Sequence, residues 1–95
     1  MNGVLEKHLA LALDQRLAVF RTHLADGSLL ESELQLHTVV YLISEIVRPC
    51  CCMLCNKEKL AGLLRQSRVC GANEQVIAKL AELVYNDLAR CNGLG

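Results

Sequence analysis

The residues of this chain best equipped for chemistry are its thiols. Six of the 95 residues are cysteine, and four of them fall in RPCCCMLC, residues 48–55. Structural zinc takes four ligands, usually arranged as two pairs. Cys52 and Cys55 supply one C-x-x-C pair, while Cys70 and Cys91 stand alone. A metal site would therefore need Cys52, Cys55, Cys70 and one further group. Redox chemistry needs a thiol of lowered pKa, often at a helix N-terminus. A helix starting at Pro49 would set Cys50, Cys51 and Cys52 there, close to Lys57 and Lys59, but the strand-to-helix setting of a thioredoxin-like C-x-x-C is missing. Lipid attachment beside an apolar stretch is a third use. The fourth is packing, because cysteine is a small and readily buried hydrophobe. The spacing favours packing at a crowded helix junction. A metal- or redox-responsive regulator built on the Cys50–Cys55 cluster is the alternative.

Other reactive constellations are absent from the sequence. His8, His23 and His37 border apolar faces singly and do not form a ligand set. No strained Gly-x-Ser-x-Gly turn exposes a nucleophile, and no glycine loop is spaced to cradle a phosphate. The carboxylates are scattered, with no pair suited to acid–base work. These patterns predict a protein that is not an enzyme and needs no cofactor.

The elements around these residues read as helices. Hydrophobic residues make up 53% of the chain but aromatics only 3%, with a single proline. A core of Leu, Val, Ile, Ala and Cys packs well between helices, and a sandwich would need more turn residues. Val4 to Leu24 carries Leu5, Leu9, Leu13, Leu17, Phe20 and Leu24 on one helical stripe. Val4, Leu11 and Val19 widen the stripe, leaving a narrow polar edge around Lys7, Asp14, Arg21 and Thr22. Asp26-Gly27 ends this first segment, since glycine suits the left-handed residue after a helix. Ser28-Leu29-Leu30-Glu31 fits a capping box opening a second helix. Its β-branched centre, Thr38 to Ile43, would alone suit a buried strand, but its length and cap argue for helix up to Pro49. A third helix either starts at Pro49 or is capped by Asn56 and runs from Lys57 to Ser67. Cys70-Gly71 breaks the chain. Asn73 caps a fourth helix reaching about Cys91, with Ile77, Leu80, Ala81, Val84 and Leu88 on one face and Lys79, Glu82, Asn86 and Arg90 opposite. The fold class expected is all-α: a single domain over residues 1–95, a small antiparallel bundle of about four helices.

Charge narrows the partners. The formal net charge is zero but unevenly spread. Residues 1–47 hold three basic against six acidic groups, a net −3, while residues 48–68 hold five basic against Glu58, a net +4. The remainder is −1, from Lys79 and Arg90 against Glu74, Glu82 and Asp87. A dedicated nucleic-acid binder is normally basic overall. Lys57, Lys59, Arg65 and Arg68 could meet phosphates, but no aromatic set is placed to read bases, which makes nucleic acid a second alternative. The start, Met1-Asn2-Gly3-Val4, lacks the basic and apolar regions of an export signal. The longest apolar run, Val39 to Ile43, is too short for a membrane span. A cytoplasmic chain with reduced thiols is therefore expected.

The function that follows is protein–protein interaction. Segments one and two present more apolar surface than a short bundle can bury. An adaptor, chaperone or inhibitor working as a dimer or in a hetero-complex would cover that surface with another protein or a second copy of itself. The interface residues expected are Leu11, Val19, Leu36, Val40 and Ile43, with Arg65 and Arg68 at a charged rim.

Overall fold

The structure, a computed structural model, describes residues 2–50 and 56–92, with side chains described for 4–50 and 56–90. Five α-helices are joined by 3-10 turns and short loops, and no strand occurs among the described residues. They are α1 (Asn2–Arg16), α2 (Arg21–Asp26), α3 (Glu33–Val47), α4 (Lys57–Ser67) and α5 (Glu74–Asn92). The β-branched centre of α3 is helical because Val39, Ile43 and Val47 recur every fourth residue and are all buried, a spacing only a helix turns to one side.

Segment one is not a single helix. Its backbone leaves the α conformation at Leu17 (φ −104, ψ 12), tightens into a 3-10 turn at Ala18–Phe20, and resumes as α2. No proline or glycine marks the break. A straight helix from Val4 to Leu24 would run about 30 Å from end to end, as long as the molecule's longest dimension of 31 Å. Bending returns Leu24 to the core, where it is fully buried beside Leu13 and Leu17. The cost is that Val19, on the outside of the bend, becomes 82% exposed.

The capping box is also corrected. Ser28–Glu31 forms a 3-10 turn, and α3 begins two residues later, at Glu33. Ser28 is drawn away from the helix: its N–H donates to Asp26 Oδ1 (2.8 Å), and its Oγ pairs with His23 Nδ1 (3.0 Å). Gly27 takes the expected left-handed conformation (φ 81) at the end of α2.

The second half follows its sequence signals closely. Asn56 caps α4, its Oδ1 accepting from the Lys59 N–H at 2.8 Å. α4 therefore starts at Lys57, and Pro49 lies in a 3-10 turn, Arg48–Cys50; the stretch 51–55 between them lies outside the described residues. Asn73 caps α5 by accepting from the Val76 N–H (3.2 Å), and its Nδ2 donates to the Ala25 carbonyl (3.2 Å). That one side chain fastens the start of α5 to the end of α2.

α1 packs against α3 and α4, and α5 packs against the same two helices. The order around the core is therefore α1–α4–α5–α3, so α3 and α4, consecutive in sequence, face each other across it. The core is aliphatic: Leu13, Leu17, Leu24, Val39, Ile43, Leu60, Leu64, Ile77, Leu80 and Leu88 are essentially sealed from water. Each such side chain contributes about 2 kcal/mol relative to exposure.

Candidate functional site

The exposed apolar side chains are distributed unevenly. Among the described residues, every large apolar side chain that is exposed belongs to the first half: Val4, Leu11, Val19, Leu34 and Tyr41. Residues 56–90 expose none. Val4 and Leu11 are seven residues apart on α1, as are Leu34 and Tyr41 on α3, so each pair stacks on one side of its helix. α1 and α3 are neighbours in the bundle.

The expected interface residues divide three ways. Leu11 (61% exposed) and Val19 stand on the surface as expected. Leu36 and Val40 are half-buried and line a groove of about 420 Å³ between α3 and α5, with Leu83 opposite and Glu33, His37, Asn86, Asp87 and Arg90 around it. Ile43 is a correction. It is 1% exposed and sits in the core between Val39 and Val47, because its helical phase points inward. Leu34 and Tyr41 belong with the exposed set and were missed; their seven-residue spacing was the available signal.

Arg65 and Arg68 meet a third arginine that sequence reasoning had placed on the polar edge of segment one. Arg21, Arg65 and Arg68 line an open cleft of about 640 Å³ between α2 and the α4–α5 turn, over Thr22, Ala25, Gly71 and Ala72. Two of the three are held by carboxylates outside the lining. Arg65 donates to Glu74 from Nε (3.0 Å) and Nη2 (2.8 Å), and Arg21 pairs with Asp14 at 3.2 Å. The hydrogen bonds from Arg65 lower the Glu74 pKa below the usual carboxylate range, and the same contact raises that of Arg65. Arg68 makes no ion pair among the described residues. It also takes the left-handed conformation (φ 61) that glycine usually fills at a helix end.

The remaining basic residues of α4 stand apart from this cleft. Lys57 and Lys59 occupy the first turn, and the Lys57 ammonium lies 5.7 Å from the centre of the Tyr85 ring. An 11-residue helix is about 16 Å long. The basic stretch 57–68 is thus split between the two ends of α4 rather than joined in one stripe.

The thiols that are described are packing groups. Cys50 packs against the core, and Cys70 is fully buried, its thiol pushed up to about 12 by burial. A thiol that resists ionisation is a poor nucleophile. Cys51, Cys52 and Cys55 lie outside the described residues. No group of three or more His, Cys, Asp or Glu side chains able to hold a metal occurs among the described residues. His8, His23 and His37 are all exposed. No described helix is long and apolar enough to cross a membrane. No protein-family model, curated protein or solved structure matches this chain.

Proposed function

We propose that this chain is a protein–protein interaction module of the adaptor or inhibitor kind, working through the apolar side chains that α1, the Ala18–Phe20 turn and α3 leave exposed. The carrying observation is their confinement: five large apolar side chains stand exposed before residue 48 and none in residues 56–90. Scattered single hydrophobics are ordinary on any surface. Paired residues at helical spacing on two neighbouring helices are the arrangement with which one helix face receives another. The half-buried groove of Leu36, Val40 and Leu83 extends apolar surface to the other flank of α3. The partner is a second polypeptide, either another copy or a different chain.

Light scattering of the purified protein across micromolar concentrations, together with mass spectrometry of what co-purifies with it, tests the proposal. Leu11→Glu with Val19→Glu should weaken assembly by about tenfold or more, because a charge is poorly tolerated inside an interface. Its helical circular-dichroism spectrum should persist, since neither side chain is in the core. A wild type that stays monomeric and alone, with the double substitution changing neither mass nor capture, would overturn the reading.

A further inference from the structure

The arginine cleft lies away from the apolar pairs, and its charged lining is of one sign. In a chain of zero net charge, Arg21 of α2 and the Arg65–Arg68 pair at the end of α4 converge from two separate parts of the sequence, and among the described residues no acidic side chain lines the space between them. We infer that this cleft binds an acidic peptide segment, its carboxylates received by the three guanidinium groups. The inference rests on the reading that the protein acts by binding another polypeptide, and it names which feature of that polypeptide the cleft takes.

Three observations point to carboxylates on an extended chain. First, Arg65 is already engaged with the Glu74 carboxylate from outside the cleft through Nε and Nη2, which fixes its plane and leaves its Nη1 without a hydrogen bond among the described residues, while Arg21 lies 3.2 Å from Asp14. Guanidinium forks match carboxylate oxygens in geometry as well as charge. Second, the floor between them is made of small groups, Ala25, Gly71 and Ala72, which lets a peptide backbone come close. A Cβ at Gly71 would lie 3.3 Å from the Ala25 Cβ, a tight contact, and Gly71 also sits at positive φ (58), so a larger residue there would be strained. Third, Arg68 is held at positive φ, where glycine would be less strained. Its backbone N–H closes the helix end on the Leu64 and Arg65 carbonyls, a task any residue but proline can perform, so the guanidinium at the cleft edge is left to meet a ligand.

Nucleic acid fits the cleft less well. No aromatic side chain lines it for base stacking. Lys57 and Lys59, at the far end of α4, do not extend it into a track that a phosphate backbone could follow.

The test titrates a fluorescently labelled peptide of alternating Glu and Gly into the full chain by anisotropy. The same peptide with Gln in place of Glu and a single-stranded oligonucleotide of equal charge run beside it. The Glu peptide should bind, and more weakly as salt rises from about 50 to about 200 mM; the Gln peptide should not. Arg68→Gly should lower affinity by about tenfold or more while the melting temperature holds or rises, because glycine relieves the left-handed backbone. A purely structural Arg68 would give the opposite pattern. Lys59→Gln should leave binding unchanged. The inference is overturned if neither peptide binds, if both bind alike, if Lys59→Gln costs as much as Arg68→Gly, or if the oligonucleotide binds more tightly than the Glu peptide. Failure here, with Leu11→Glu and Val19→Glu still disrupting assembly, removes the cleft and leaves the apolar interface standing. Binding that needs Arg68 but is indifferent to that double substitution, in a protein that never assembles, does the reverse.

Discussion

The two halves of this bundle solve the same problem differently. α4 and α5 are self-sufficient: each opens on an asparagine whose side chain accepts from a backbone N–H, each buries a single apolar face, and what they show to water is polar or small. The chain before residue 48 is less complete. α2, α3 and the 3-10 turns at Ala18–Phe20 and Ser28–Glu31 have no side-chain cap bond, and large apolar side chains remain exposed on α1 and α3. A helix gains most of its stability from tertiary packing of its apolar side. The first half has more apolar residues than its own core can accept, and the surplus lies where a partner can reach it. Burial and exposure of large apolar side chains are thus separated along the described sequence.

The largest expected effect bears on which side chains of α3 belong to the core. Ile43→Ala should cost about 3 kcal/mol of folding stability, whereas Leu34→Ala should stay within about 0.5 kcal/mol. Urea unfolding of both decides the matter. If Leu34→Ala costs as much as Ile43→Ala, Leu34 is not a surface residue held for a partner, and the contrast between the halves fails.

A second comparison concerns the caps. Asn73→Ala removes both the cap of α5 and the bond to the Ala25 carbonyl, and should cost about 1–2 kcal/mol. Ser32→Ala, at the N-terminus of α3, should change stability by only a few tenths, about the scatter of an ordinary surface substitution, because Ser32 makes no cap hydrogen bond. Equal costs in thermal unfolding would show that the first half is capped as well as the second.

Buried polarity gives a smaller effect. Ser44 is fully buried on α3, and its hydroxyl has no hydrogen-bond partner among the described residues. Ser44→Ala should be neutral or stabilising by up to about 1 kcal/mol, since an unmet hydroxyl is removed with little loss of volume. A clear destabilisation in urea unfolding would mean that the hydroxyl is satisfied in solution.

The smallest effect is acid sensitivity at the cleft. Glu74 has a folded pKa below its ordinary value of 4.5, chiefly because Arg65 hydrogen-bonds to its charged form. Its contribution is therefore fully present above pH 4.5 and is lost as pH falls through the lower folded value. Unfolding scans should show slightly less acid sensitivity in Glu74→Gln than in the wild type. An unchanged pH profile would mean that the Arg65–Glu74 pair does not persist in water.

The sequence carried the helical architecture and most of its punctuation. Gly27 at the end of α2, Asn56 and Asn73 as caps, and the buried face of α5 were all legible, because each depends on residues within a turn or two of itself. The same local reasoning marked Leu11 and Val19 as surplus to the α1 stripe, and both are exposed. It failed where the deciding contact was distant. The bend at Leu17 carries no local breaker, and with it Leu24 is buried in the shared core. Ser28 looked like a cap until His23 and Asp26 claimed it. Ile43 could not be sorted from Leu36 and Val40 by composition, since only the positions of α1 and α5 around α3 fix which of its apolar sides is sealed. The arginine cleft lies furthest beyond the sequence: residues 21, 65 and 68 share no motif, and charge along a chain says nothing about charge across it. Local propensity and periodicity determined the elements. Which of their side chains meet one another, and which are left for something else, depended on how the elements close around a single aliphatic core.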